Sequence, residues 1–291
     1  MAVEIRRVGD LACELGEGPV WDSTDGVLYF VDITGGRVWR CDPERAIFEL
    51  RDYGTTVSAV GLRASGGLVV ACGAGIEFLD FASGRRTPVA DPNAGDARTR
   101  FNDAKVDRRG RFLVATMDKE QREPLGKLYA LEPDHATRTV ATGFTIGNGP
   151  AWSPDGRTFY LTDSGLHTIF AYDYDPTTGD VSNRRSFATS EGFGGTPDGC
   201  TVDANGGVWS CFNLGGKVVR LTPDGRVDRV IDMPVDTPSS LAFGGPRLDV
   251  LFVTSMRSGG PGAEAHSPEA GGLFAVHGLG VVGLPEPRYA G

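Results

Sequence analysis

Three observations predict an all-β fold for this 291-residue chain, a six-bladed β-propeller with four antiparallel strands in each blade. The first is a repeat. GPVWDSTDGVLYFVDITGGRVWRCDPE, GLRASGGLVVACGAGIEFLDFASG, AKVDRRGRFLVATMDKEQREPLGKLYALEPD, GPAWSPDGRTFYLTDSGLHTIFAYDYDPTTG and GCTVDANGGVWSCFNLGGKVVRLTPDG share one pattern of strand, turn, strand, loop, strand, turn, strand. A sixth unit runs through LAFGGPRLDVLFVTSMRSGG and resumes after an insertion at GGLFAVHG. The period, about 40 to 50 residues, is that of propeller blades. The second observation is the turn chemistry. There are 42 glycines and 18 prolines, and SPDGR, DANGG and TPDGR place Gly after Asp or Asn, where a hairpin needs positive φ. The third is strand composition: VLYFVDI, RFLVAT, TFYLTD and VLFVTS are β-branched and aromatic, and no 3.6-residue period is sustained. A two-sheet sandwich would not require a fixed period.

Each blade begins with a strand lining the central channel, and the same register recurs in each. The last blade lacks an outer strand after GGLFAVHG, whereas VEIRRVG at the N-terminus has strand character and no partner in its own unit. The N-terminal strand is therefore expected to close the ring, making residues 1–291 one catalytic domain. Net charge is −9 with both signs interspersed, which disfavours nucleic acid as a partner. No stretch approaches the length of a membrane span, and MAVEIRRVGD has no signal-peptide core. Five cysteines, Cys13, Cys41, Cys72, Cys200 and Cys211, include no CxxC pair and fit a reduced cytoplasmic protein, with monomer as the default state.

The loops entering the first strands carry an oxygen at one register. Glu17 lies five residues before Asp22, Asn102 five before Asp107, Asn148 five before Ser153, and Asp198 five before Asp203. The second unit offers Ser58 and the sixth Ser239 or Ser240. Equal register in a propeller means equal height, so these residues should ring the axis. Two carboxylates crowded there repel unless one takes up a proton or a cation lies between them. A divalent cation held by Glu17, Asn148 and Asp198 resolves the conflict and leaves positions open for water or substrate. Oxygen donors tolerate calcium, magnesium, manganese, zinc or ferrous iron. Arg100, before Asn102, and Glu120, at the end of ATMDKE, are expected near this ring, where a guanidinium donor and a carboxylate acceptor suit a polyhydroxylated ligand.

Other chemical signals are weak. No GxSxG occurs, and the four histidines (His135, His167, His266 and His277) show no metal-ligand spacing, reading as surface or strand residues. GLGVVG at 278–283 leads into LPEPRYAG rather than a helix, and DYDPTTGD lacks the glutamate of a calcium loop, reading as a hairpin turn.

LGEGPVWD, RFNDAKVD, ATMDKE, NGPAWSPDGRTFYLTDS, AYDYDPTTGDVSNRR, PDGCTVD and FGG occur in order, and together they resemble the regucalcin/gluconolactonase family, also called senescence marker protein or SGL. The match runs from about residue 13 to the final YAG. The resemblance implies a six-bladed propeller that hydrolyses a sugar lactone with one divalent cation in its channel. It implies metal ligands at Glu17, Asn148 and Asp198, substrate contacts at Arg100, Asn102 and Glu120, and Asp198 beside the attacking water as general base. GFGGTPDG and PGAEAHSPEAGG are the segments expected to vary with substrate. A propeller hydrolase acting on phosphotriesters or other esters, and a noncatalytic calcium-binding propeller, are the alternatives.

Overall fold

In the computed structural model, residues 2–259 and 264–291 are described. The β-strands pair into six four-stranded antiparallel sheets. After β1 (Glu4–Arg7), the first blade is β2 (Gly16–Asp22), β3 (Val27–Asp32), β4 (Arg37–Asp42) and β5 (Ile47–Asp52). The second is β6 (Val57–Leu62), β7 (Leu68–Cys72), β8 (Gly75–Leu79) and β9 (Arg86–Ala90). The third is β10 (Thr99–Val106), β11 (Phe112–Asp118), β12 (Gly126–Leu131) and β13 (Thr137–Phe144). The fourth is β14 (Gly147–Trp152), β15 (Thr158–Asp163), β16 (Thr168–Tyr174) and β17 (Val181–Thr189), and the fifth β18 (Thr196–Val202), β19 (Val208–Asn213), β20 (Lys217–Leu221) and β21 (Val227–Asp232). The sixth has β22 (Pro238–Gly244), β23 (Val250–Ser255) and β24 (Leu273–His277), and β1 pairs with β24 as its outer strand. The ring is thus closed by the N-terminal strand, as the sequence predicts. The insertion PGAEAHSPEAGG begins within 260–263 and lies partly outside the described residues.

Burial follows strand position. β2, β6, β14 and β22 are buried along their whole length, whereas outer strands such as β13 alternate toward solvent. Six apolar clusters fill the six seams between neighbouring blades; at the seam of the last and first blades, Trp21 stacks on Phe252 at 5.6 Å. The hairpin glycines do what their sequences predict: Gly156, Gly206 and Gly225 have φ of 68°, 83° and 83°. DYDPTTGD is the turn between β16 and β17, and GLGVVG forms neither helix nor strand.

One feature is not foreshadowed by the repeat. Residues 278–291 cross the face of the ring where the inner strands end. Val282 O accepts from Ala204 N (2.8 Å), Tyr289 N donates to Leu62 O (2.7 Å), and Ala290 N donates to Gly110 O (3.0 Å). Tyr289 is fully buried, and Glu286 pairs with Lys105 at 3.6 Å.

Every inner strand carries a β-bulge near its start, between Glu17 and Val20, Val57 and Ala59, Phe101 and Ala104, Asn148 and Ala151, Pro197 and Cys200, and Pro238 and Leu241. A bulge re-aims side chains, and here it sits at the ring of oxygens. The strands approach so closely there that a Cβ on Gly149, whose φ is 55°, would lie 2.7 Å from Cys200 N and 2.9 Å from Asp198 O. Gly149→Ala should therefore destabilise the protein by about 1–2 kcal/mol for the left-handed backbone and a further ~1–3 kcal/mol for the clash. Gly192→Ala, with positive φ but nothing within 4 Å, should show only the backbone cost. Urea unfolding of the two variants measures the difference; equal losses would refute the close-approach argument.

Candidate active site

Glu17, Arg100, Asn102, Asn148 and Asp198 line one cavity of about 380 Å³ at the end of the ring where the inner strands begin. The register argument is thus met in four blades. In the other two the ring hydroxyls tie strands together: Ser58 Oγ donates to Phe101 O (2.7 Å), and Ser239 Oγ donates to Gly16 O. Glu17, Asn102, Asn148 and Asp198 are only 5 to 8 % exposed.

Glu17 and Asn148 are positioned by aspartates at the ends of the second strands. Asp32 accepts from the backbone N–H of Leu15 (3.0 Å) and Glu14 (3.2 Å), and Asp163 from Ile146 (3.1 Å) and Thr145 (3.0 Å). Each carboxylate anchors the chain two residues ahead of the ring residue. VDI and LTDS carried this signal in the sequence, but two-residue leverage across a hairpin is visible only once the pairing is known.

A chain of polar side chains then crosses three blades. Arg100 Nη1 donates to Asn102 Oδ1 (2.9 Å), Asn102 Nδ2 donates to Asn148 Oδ1 (2.7 Å), and Asn148 Nδ2 donates to Ser164 Oγ (2.9 Å). Ser164 spends its single proton on the carbonyl of Pro197 (2.8 Å). It can only accept from Asn148, which fixes the amide with its nitrogen toward Ser164 and its oxygen on the other side. Ser164 was not singled out from sequence; its role depends on Pro197, which precedes Asp198 in the next blade.

The two acids are poorly solvated. Burial raises the pKa of Glu17 well above the ordinary carboxylate value, and the charges of Asp198 and Asp103 push it further, against hydrogen bonds from Gly18 N–H and the Ser240 hydroxyl. Burial likewise raises Asp198, and Asp103 adds to the effect. Asp103, a third buried acid that the sequence reading passed over, accepts from Gly149 N (2.8 Å) and Ala104 N (2.7 Å); burial raises it too. Burial lowers Arg100 to about 10, opposed by the charge of Glu17, so it stays protonated at neutral pH. Asp198 Oδ1 is buried without a protein hydrogen-bond partner at ordinary distance, Asn213 Nδ2 lies 3.5 Å from the other oxygen, and this amide and the Gly199 N–H oppose the rise in pKa. Two carboxylates, an oriented amide oxygen and an orphaned buried oxygen form a donor set that fits a hard divalent cation. Among the described residues no three His, Cys, Asp or Glu side chains cluster as a metal site, so any such set here includes the amide.

Glu120 is exposed and does not line the cavity. The Asp118 carboxylate gathers the N–H groups of Glu120, Arg122 and Glu123, curling the loop so that Gln121, with φ of 57°, takes the wall position. His167 is exposed, as expected of a surface residue, and it also caps a short 3₁₀ turn, Ser164–Leu166, in left-handed conformation and lines the cavity.

Residues 15–257 match the pattern of the SMP-30/Gluconolactonase/LRE-like region. The chain belongs to this family. Among relatives of the SMP-30/gluconolactonase family, regucalcin of Homo sapiens is 38% identical over 298 residues, covering 100% of this chain and 99% of that protein. Similar solved structures include a luciferin-regenerating enzyme (TM-score 0.93, 27% identity, 99% of each chain) and a calcium-binding protein, regucalcin, from Agrobacterium tumefaciens (TM-score 0.91, 25% identity, 98% of this chain and 97% of that one). A gluconolactonase from Xanthomonas campestris matches with TM-score 0.78 and 25% identity, over 94% of this chain and 89% of that one. Among the described residues no helix is long and apolar enough to cross a membrane.

Two measurements test the donor set. Because Glu17 and Asp198 have raised pKa values, the folded metal-free protein retains protons that the unfolded chain releases above about pH 4. These acids therefore make the metal-free fold less stable as pH rises through that window, and a cation that displaces the protons reverses the effect. The Tm difference between calcium-saturated and chelator-treated protein should widen from pH 5 to pH 8; a constant difference would exclude these acids as ligands. Ser164→Ala frees the Asn148 amide to turn, and should weaken cation affinity by about 10–100-fold with Tm of the chelated protein little changed. Unchanged affinity by titration calorimetry would refute the orienting role.

Proposed function

We propose that the protein hydrolyses the lactone of a polyhydroxy acid at this cavity, aided by one divalent cation that Glu17, Asn148 and Asp198 would hold. The observation that carries this reading is Asp198 Oδ1, a buried carboxylate oxygen without a protein partner beside a second buried acid. Bound there, the cation would polarise an ester carbonyl and make a nearby water more acidic. Asp198 accepts the proton of the attacking water; the water oxygen bonds to the acyl carbon, the ring C–O bond breaks, and the proton passes to the departing alkoxide. Arg100, charged at neutral pH, donates to the carbonyl and ring oxygens, and Asn102 holds the guanidinium in place through the 2.9 Å bond. Gln121 lines the wall for a more distant hydroxyl, and Glu120, on the same loop, meets hydroxyls only at the exposed rim.

The family relatives support two branches. One structural relative is named a gluconolactonase, and another a calcium-binding regucalcin. The calcium-binding relative supports a competing reading, a propeller that binds calcium without turnover. The five cysteines are free and buried, which accords with a reducing cytoplasmic setting.

A panel of aldonolactones and organophosphate triesters, each assayed with calcium, magnesium, manganese, zinc or ferrous iron and with chelator, separates the readings. Asp198→Asn should lower lactone kcat by about 10²–10⁴-fold, the usual contribution of a general base, and chelation should abolish turnover. Turnover that survives chelation sinks the cation's role. Calcium binding without hydrolysis of any ester establishes the competing reading.

A further inference from the structure

We propose that a second cavity, between the second and third blades, is a subsite for a neutral, hydroxyl-bearing extension of the substrate, so that the protein takes a glycosylated polyhydroxy lactone in preference to a single sugar ring. The proposal rests on the lactone reading above and extends it. This cavity, about 510 Å³, is larger than the one holding Glu17 and Asp198, and Arg100 lines both. An extended ligand held by Arg100 would take a route past it from one to the other.

The chemistry of the two walls decides what can follow that route. Away from Arg100, the first cavity mixes the apolar side chains of Leu15, Ile33, Ile146, Leu214 and Met256 with single polar groups at Gln121, His167, Thr196 and Asn213. Toward the second and third blades the lining changes to Thr55, Thr56, Ser58 and Asn93. The register explains the contrast. Two residues before the ring position stand Leu15 and Ile146 in the first and fourth blades, but Thr56 and Arg100 in the second and third.

The hydroxyls of Thr55 and Thr56 converge on Gly73 and, among the described residues, bond to no protein group. A Cβ on Gly73 would lie 2.4 Å from Thr55 Oγ1 and 3.1 Å from Thr56 Oγ1, so only glycine leaves this spot open. Charge on the lining is balanced, Arg100 and Lys119 against Asp91 and Asp96, with the Lys119 ammonium also donating to Ala97 O at 2.8 Å. A balanced set of donors and acceptors suits a neutral polyol better than an anion. The volume lies within the range of about 300–1,000 Å³ of sites that enclose small molecules, and exceeds what one lactone ring requires.

The test compares kcat/KM for gluconolactone and lactobionolactone with cation-loaded protein, alongside calorimetric titration with lactitol, a neutral polyol of the same outline that is not hydrolysed. The disaccharide lactone should be preferred by about tenfold or more, the effect of one or two additional hydrogen bonds. Thr55→Val combined with Thr56→Val removes the hydroxyls at constant shape, and Ala94→Trp fills the cavity from its exposed loop; each should reduce that preference and weaken lactitol binding by about tenfold. Lactitol binding that the variants weaken, in a protein that hydrolyses neither lactone, retains the subsite and sinks the lactonase reading. No preference for the disaccharide lactone, no lactitol binding, or variants that leave both unchanged overturns the subsite.

Discussion

Glu17 and Asp198 share one cavity at a depth where neither is well hydrated, and the surrounding structure answers to that arrangement. Burial alone pushes both above the ordinary carboxylate range, and Asp103 adds a third negative centre. Such a cluster persists only where the fold is stable enough to hold it and where charge of the opposite sign, or protons, can compensate. Arg100 supplies part of that charge through the field of Glu17, and reaches Asn102 rather than either acid directly. What remains uncompensated is the orphaned oxygen of Asp198, and the chemistry proposed for the site follows from it.

The six-fold repeat provides a scaffold in which one register position recurs at one height, and the chain uses that position in two ways. Where the residue is acid or amide, a bulge turns it toward the cavity. Where it is serine, the hydroxyl bonds to the carbonyl of the neighbouring inner strand and holds the ring together. The same closeness that makes these staples possible requires Gly149 and Gly199, since a Cβ at Gly199 would lie 2.2 Å from Ser240 Oγ. Packing of the ring and placement of its charges are therefore one constraint. Asp32 and Asp163 connect the two, because their carboxylates tie the entering loops of the first and fourth blades to the second strands.

The far face is shaped by the chain ends. β1 completes the sixth blade, and residues 278–291 run across the ends of the inner strands to bury Tyr289 against the second and third blades. The aspartates five residues beyond the ring positions belong to this face, and they make buried ion pairs: Asp203 with Arg220 at 2.7 Å and Asp107 with Arg111 at 2.7 Å. Cavity chemistry is confined to one end of each inner strand, and charge-paired packing to the other. On the open face the mouth is unequal: apolar and polar side chains alternate around the cavity that holds the two acids, and hydroxyls cluster beside the second and third blades.

Period, turn glycines and β-branched strands made the blade count readable before any coordinates, because each blade is built from local pairings between neighbouring segments. The unpaired VEIRRVG at one end and the short last unit at the other made the closure readable as well. Equal spacing then singled out Glu17, Asn102, Asn148 and Asp198, since equal register in a closed ring means equal height. Glu120 stands outside that register: it lies beyond the end of β11, where the Asp118 carboxylate, not strand periodicity, sets the loop's course. Ser164, Asp103 and His167 were beyond reach for a related reason: each acts on a residue of another blade, or through a turn, and no local pattern encodes the approach. By itself, then, the sequence determined the architecture and which side chains face the axis, through local propensity and repetition. The tertiary structure alone decided the orientation of the Asn148 amide, the company kept by each acid and the shape of the mouth, because these depend on contacts between segments far apart in the chain.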